Sequence, residues 1–399
     1  MTVHPTEQAG NGDGVSMDFQ LSAEHQELRR TLRAFFEKEA PHELIMELDR
    51  NEQYPAELYA KMAAIGLCGI TVPEEYGGNP ADEIALCIVS EEMSRASAAL
   101  VYAFIPTVTF AAKGIAEYGT EAQRRELLPK VAAGTLRFAM GLTEPDSGSD
   151  LTHLETQAVP DGDDYIVRGQ KVFTTGADTA DYIFTFVRTG SRTDPASNAL
   201  SVVLVPTDAP GVSIRPLRKL AGQATHTCEV FLGDVRVPGS NVVGELGDGV
   251  RMIFSLLDRE RILAGAQSCG IAQGAFDYAY RYAHERRQFG RPIVDFQAVG
   301  HMLADMAMDI EAARLLTFQA AWKLEQGLPV SADASMAKVF ASEAASRCAA
   351  KGMQVLGGYS YMAEYPMERY YRECKLNEIA GGTNQILRTR IVRYLGTDR

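Results

Sequence analysis

In the stretch LLDRERILAGA, Glu260 has Leu256, Leu257, Leu263 and Ala264 three and four residues away. On a helix those positions share its face, so its carboxylate emerges from a mostly apolar patch. Apolar surroundings disfavour the charged form and raise the pKa, which suits a base that collects a proton near neutral pH. The alternative is a structural carboxylate paired with Arg259, Arg261 or a distant arginine. In ERRQFGRPIVDFQ, Arg286 offers a guanidinium fork that matches phosphate oxygens, although Arg286 and Arg287 alone also read as a solvated helix end. KVFTTG sets Phe173 two residues before Thr175, a period that puts ring and hydroxyl on one strand face; read alone, Phe173 is a core aromatic. In LTEPDSGSD, Gly148 and Ser149 let the main chain come close to a phosphate, or simply make a polar turn.

These residues need elements to position them, and the chain changes texture twice. From residue 17 to 137 the pattern is helical: AEHQELRRTLRAFFEKEA repeats apolar residues at Leu28, Leu32, Phe35 and Phe36, which is one face of a 3.6-residue period. From 138 to 246, runs such as DYIVRGQKVFTTG, ALSVVLVPT and TCEVFLGDVRVPG are rich in Val, Ile, Phe and Thr and bounded by turn residues. They read as strands of an antiparallel sandwich or barrel. From 247 to 399 helices return. The first runs some forty residues without proline, with a possible glycine weak point, and long antiparallel helices of this kind make a bundle. The expected fold class is α+β: a helical domain, a β-sandwich or barrel, then a C-terminal four-helix bundle.

Composition removes several classes of function. The 399 residues are 46% hydrophobic, enough for a large core, and carry a formal net charge of −13 without a block of Lys or Arg. No nucleic acid or anionic membrane surface is therefore expected as a partner. An anionic cofactor would be held by a few placed groups. Cys68, Cys87, Cys228, Cys269, Cys348 and Cys374 are scattered, and none pairs with the seven histidines at metal-ligand spacing, so a reducing compartment and no metal are expected. The longest apolar runs fall short of the roughly 20 residues of a membrane span. Residues 1–16 are polar and Gly-containing, which reads as a disordered tail rather than a secretory or organelle leader, and the expected location is the cytoplasm of a bacterium.

Five strings narrow this architecture: LTEPDSGSD (142–150), KVFTTG (171–176), ERRQFGRPIVDFQ (285–297), MQVLGGYSY (353–361) and GGTNQILR (381–388). In this order and at these separations they resemble the acyl-CoA dehydrogenase family of flavoproteins, over nearly all of the chain from residue 17 onward. The resemblance implies an FAD between the β domain and the bundle, an acyl-CoA thioester beside the flavin, an electron-transfer flavoprotein as electron acceptor, and a homotetramer whose subunits complete one another's cofactor sites. It implies that Leu142, Thr143, Gly148, Ser149, Phe173 and Thr175 hold the flavin from the β domain. Ser149 also lies near CoA, and Phe173 stands where tryptophan is common. Arg286, Phe289, Gln297, Gln354, Gly357 and Gly358 would serve the flavin of an adjacent subunit, and Thr383 and Gln385 the cofactor from the C-terminal helical region. Asp258, Arg261 and Ala380 are implied to face the substrate. Ala380 replaces a bulky aromatic and leaves room for a branched or substituted acyl group.

One position breaks the commonest family pattern. Dehydrogenation removes a proton from the α carbon while the β hydrogen leaves as hydride, so a base is needed opposite the flavin. That base is usually a glutamate directly before Gly-Thr, and here the position is Gly381. Glu378, three residues earlier, would have to re-register to serve. Glu260 is the preferred base: isovaleryl-CoA and long-chain acyl-CoA dehydrogenases resemble this sequence in carrying the glutamate on the long helix, ten residues before a glycine, here Gly270. Gly381 keeps a backbone N–H, which in the family joins a flavin hydroxyl in binding the thioester carbonyl as an oxyanion hole does. Other readings are a crotonobetainyl-CoA-type reductase on the same fold, a desulfinase, which Glu260 disfavours, and a silent binding protein.

Overall fold

The computed structural model describes residues 20–191 and 194–395, so the expected tail over 1–16 lies outside the described residues. Helix α1 (Ala23–Glu39) starts where the Ser22 hydroxyl accepts from the His25 amide at 3.1 Å, and it buries Leu32 and Phe36 with Leu28 and Phe35 packed beside them. α2 (His42–Arg50), α3 (Ala56–Ala64) and α4 (Glu83–Ala96) follow. α5 (Ala98–Ile105) passes through a wider turn at Pro106–Ala111 into α6 (Ala112–Tyr118), and α7 (Glu121–Ala132) opens on a Thr120–Gln123 capping box. One expectation needs correcting. Ala98–Tyr118 forms 21 continuous helical residues, long and apolar enough to cross a membrane, but 83% of its most apolar window is buried inside the protein. It is a core helix because its neighbours, not lipid, cover it.

The middle of the chain holds β1 (Phe138–Gly141), β2 (Gln157–Asp161), β3 (Asp164–Thr175), β4 (Tyr182–Arg188), the single turn α8 (Ala196–Ala199), β5 (Leu200–Pro206), β6 (Val212–Leu217), β7 (Thr227–Pro238) and β8 (Val242–Val243). The strands join in the order β6-β7-β3-β2-β4-β5-β8, with β1 also on β4. The pairing is not wholly antiparallel as expected, because β1 and the start of β2 run parallel to β4. Both faces are covered. Ile183, Val187, Val203 and Val205 enter the core between strands, while Phe184, Phe186, Val202 and Leu204 pack with the helices.

α9 (Gly249–Glu285) is followed by the short hairpin β9 (Arg287–Gln288) and β10 (Arg291–Pro292), then α10 (Gln297–Glu325), α11 (Ser331–Leu356), α12 (Met367–Glu373) and α13 (Asn384–Tyr394). α9, α10 and α11 pack on one another, α13 lies against α11, and α4 runs along α9. The glycines of α9 do not break it. A Cβ on Gly270 would lie 2.1 Å from the Glu91 carbonyl oxygen, and one on Gly274 would lie 2.7 Å from that of Arg95. They are the places where α4 and α9 touch backbone to backbone. All six cysteines are free and buried, and no metal-binding cluster occurs among the described residues.

Candidate active site

Glu260 sits in the fourth turn of α9, between Leu256 and Leu257 on one side and Leu263 and Ala264 on the other, all four buried. The arginines that could have neutralised it are engaged elsewhere: Arg259 holds Glu83 at 2.8 Å, and Arg261 holds Asp258 at 2.7 Å. The Glu260 Oε2 is buried and has no hydrogen-bond partner. Burial pushes the carboxyl above its ordinary pKa, opposed by the nearby charges of Arg261 and Lys338. An unpaired carboxylate in a largely apolar wall is costly to keep charged, so it is poised to take a proton.

The turn at Gly381 faces it. Gly381 and Gly382 have φ of +67° and +94°, a conformation glycine adopts without a Cβ penalty. A Cβ built on Gly381 would fall 2.3 Å from Glu260 Oε2 and 2.8 Å from Oε1. The carboxylate from α9 therefore occupies the space that a side chain on the turn would fill. Arg261 Nε donates to the Gly381 carbonyl at 3.2 Å, and the fully buried Lys338 donates to the Gly382 carbonyl at 2.9 Å and to Asn384 Oδ1 at 3.0 Å. Glu378 is tied up by the Ser346 hydroxyl and by Lys375 at 2.6 Å, and these donors hold its carboxyl below its ordinary pKa. It is therefore poorly placed and poorly tuned to act as the base. Ala380 is exposed beside the turn. Thr383 caps α13 by accepting from the Ile386 amide at 3.2 Å, and Gln385 is exposed in the first turn.

The β-domain motifs are fastened to each other. Val172 N–H donates to the Thr143 carbonyl at 2.9 Å, and Lys171 Nζ donates to the Leu142 carbonyl at 3.1 Å and to Glu144 Oε1 at 2.7 Å. The other donors to Glu144 are the amides of Glu155 and Thr156, at 2.6 and 2.9 Å. Burial draws Lys171 down to about 8, while Lys171 holds the Glu144 carboxyl below its ordinary value against the cost of its own burial. Gly148 and Ser149 are exposed on this loop, and Leu142 shares a core cluster with Leu256 and Leu257, one turn from Glu260. The pairing of β3 with β7 slips between Lys171 and Thr174, and Phe173 takes a φ of +58° with 65% of its surface exposed. Phe173 thus lies in a bulge, and the strict alternation that would put it on one face with Thr175 is interrupted there. The half-buried Thr175 lines a small cavity with Tyr102, Thr107 and Arg137.

Lys171, Glu144 and Lys338 were not picked out by sequence reasoning. Opposite charges inside two of the quoted strings were the available signal for the first pair, and a lone lysine in the apolar stretch ASMAKVFA for the third.

Arg286, Phe289, Gln297, Gln354, Gly357 and Gly358 lie at the other end of the bundle. Arg286 lies over the Tyr359 ring, 5.7 Å from its centroid, next to Gly358, while Phe289 meets Phe296 at 5.9 Å, next to Gln297. All six are exposed, Phe289 at 93%. Arg286 follows Glu260 by 26 residues at the end of one continuous helix, about 39 Å along its axis at 1.5 Å per residue. A single chain does not bring these residues to Glu260.

The residues present fit a flat heteroaromatic group with a polar edge. Phe173 offers an exposed ring on a strained backbone, and Thr174 Oγ1 is buried without a partner.

Comparison with known proteins identifies the family. Family models described as the acyl-CoA dehydrogenase N-terminal, middle and C-terminal domains match residues 22–135, 139–235 and 247–396. A probable acyl-CoA dehydrogenase of Bacillus subtilis, YngJ, is 39% identical over 95% of this chain and 100% of its own. The caffeyl-CoA reductase-Etf complex subunit CarC of Acetobacterium woodii is 37% identical over 92% of this chain and 96% of its own. The solved glutaryl-coenzyme A dehydrogenase in complex with glutaryl-CoA superposes with a TM-score of 0.92 at 36% identity, covering 96% of this chain and 98% of that one. Three consecutive domains, a matching fold and this level of identity along the whole length place the chain in the acyl-CoA dehydrogenase family of oxidoreductases.

Proposed function

We propose that this protein is an FAD-dependent dehydrogenase that converts an acyl-CoA thioester to its 2,3-enoyl form, with Glu260 as the base. The observation that carries the reading is the partnerless Oε2 of Glu260, lying where a side chain on Gly381 would stand. Bound FAD would accept the β hydrogen as hydride and pass its electrons to an electron-transfer flavoprotein. Leu142, Thr143, Gly148, Ser149, Phe173, Thr175, Thr383 and Gln385 would hold it. Glu260 Oε2 takes the α proton, and the raised pKa makes the carboxylate a stronger acceptor than an exposed glutamate. The Gly381 amide receives the thioester carbonyl and stabilises the negative charge that grows there. Asp258, Arg261 and Ala380 flank the substrate.

The same reading includes a homotetramer. The separation of the Arg286 group from Glu260 supports it, because a second copy would bring the two to one cofactor site. α10 also carries Met308, Leu315 and Trp322 exposed at seven-residue intervals, an apolar stripe suited to another helix.

A second reading, enoyl-CoA reduction, draws support from the likeness to CarC. It uses the same base in reverse, with Glu260 delivering the proton. Anaerobic titration of the flavoprotein with straight-chain, branched and dicarboxylic acyl-CoAs tests both. Bleaching of the flavin band by one of them, lost in E260Q while binding-induced spectral shifts remain, supports dehydrogenation by Glu260. No bleaching by any acyl-CoA, with reoxidation of the reduced flavin by an enoyl-CoA, would replace it with reduction.

A further inference from the structure

We propose that Lys338 is a positioning residue for this reaction: with Arg261 it pins the two consecutive glycine carbonyls of the turn that faces Glu260, and so supplies positive charge to the base without pairing with it. The inference rests on the reading of Glu260 as the base.

Lys338 has no exposed surface. A buried ammonium must place its protons on acceptors, and it gives them to the Gly382 carbonyl at 2.9 Å and to Asn384 Oδ1 at 3.0 Å. Arg261 reaches the Gly381 carbonyl from α9, while Lys338 reaches Gly382 from α11. Two successive peptide planes are therefore gripped from two different helices. A Gly-Gly turn with both φ angles positive has few internal restraints, so these grips decide its shape. Asn384 extends the network, donating to Ser342 Oγ at 3.1 Å and to Glu343 Oε1 at 3.2 Å.

The electrostatic side follows from the same contacts. The cations beside Glu260 are Arg261 on α9 and Lys338 on α11. Arg261 is also paired with Asp258 and Lys338 is engaged with the turn, so neither donates to Oε2, which stays without a partner. Lys338 in turn feels Glu260 across the site, Glu343 on its own helix and Glu378 before the turn, with Arg261 opposing them. A cation that donated directly to the base would hold it as a spectator salt bridge. A cation fixed on the turn tempers the cost of the charge and leaves the lone pairs of the carboxylate free. Burial draws Lys338 itself down to about 8.

The test compares full-length flavoprotein as wild type, E260Q, K338Q and K338R. Anaerobic flavin reduction by a reactive acyl-CoA is followed across pH. Without substrate, the protonated-carboxyl infrared band that E260Q lacks is titrated. For K338Q the expected results are reduction slowed about tenfold or more, acyl-CoA affinity changed less than about threefold, and both midpoints moved up by about one pH unit, a tenfold change in proton affinity. K338R should restore the midpoints by restoring the cation. A K338Q protein with wild-type rate and midpoints, alongside an inactive E260Q, overturns the role of Lys338 and leaves the base intact. An E260Q protein as fast as wild type instead overturns the base reading, and this proposal with it. If K338Q does not fold, N384A removes one acceptor but keeps the charge. Slowed reduction at an unchanged midpoint then supports the grip on the turn, and an unchanged rate overturns it.

Discussion

The carboxylate of Glu260 and the missing side chain of Gly381 are two halves of one arrangement: a Cβ on residue 381 would lie 2.3 Å from Glu260 Oε2. Charge at this point can be delivered from the helix or from the turn, but the space admits one of them.

E260Q keeps the size of the side chain and removes the base. We expect flavin reduction by acyl-CoA to fall by about 10²–10⁴-fold, the usual worth of a placed general base, with binding preserved. Stopped-flow reduction checks it.

The same variant should be more stable. The folded state raises the pKa of Glu260, so it holds that proton more tightly than the unfolded chain does, and wild type loses stability as pH rises through the shifted value. E260Q should gain about 1 kcal/mol over wild type above that range, typical of relieving a functional site, and nothing in acid where Glu260 is protonated. Denaturant unfolding at both ends of the range reads the difference. An equal gap at both would remove the electrostatic explanation.

G381A drives a methyl group into the Glu260 carboxylate and forces an L side chain to a φ of +67°. Together these should cost about 1–3 kcal/mol and displace the base, so reduction slows even though Glu260 is present. Unchanged reduction kinetics in G381A would mean that the carboxylate has another place to go.

K171M leaves Glu144 buried without its cation. Breaking a buried pair in this way typically costs about 3–5 kcal/mol. Because the pair joins residues 142–144 to β3, flavin should also leave more readily during gel filtration. Loss of stability without loss of flavin would make the pair structural only.

If Arg286 serves the site of a neighbouring subunit, two defective proteins can repair one another. R286Q and E260Q, each impaired alone, should regain a fraction of wild-type turnover when co-expressed and co-purified. In mixed oligomers some sites combine an intact Glu260 with an intact Arg286. Activity no greater than the sum of the separate variants would place Arg286 and Glu260 in the same chain's site.

Much of this is legible in the sequence. Leu28, Leu32, Phe35 and Phe36 reported α1 because burial on one face imposes a helical period, and Glu260 stood out because its helical neighbours are apolar. What escaped depends on proximity that local pattern does not encode. Lys171 and Glu144 are 27 residues apart, and Lys338 meets Gly382 across 44. The bulge at Phe173 reflects the register of β3 on β7 rather than any feature of KVFTTG, and the parallel pairing of β1 with β4 is a matter of topology. The 21-residue apolar helix shows the converse, since its composition alone does not say whether protein or lipid surrounds it.

α9 has a consequence for how the gene can vary. Gly270 and Gly274 lock its backbone against α4 on the way from Glu260 to Arg286, so the helix serves as a ruler. Deleting one residue between them would turn everything beyond by about 100° and draw it in by about 1.5 Å, tearing the glycines from their contacts and re-aiming Arg286. Point changes on the outer face of this segment are compatible with function, whereas any change of length is not. Insertions and deletions belong instead to the surface connections of the β domain, such as the exposed turn between β2 and β3.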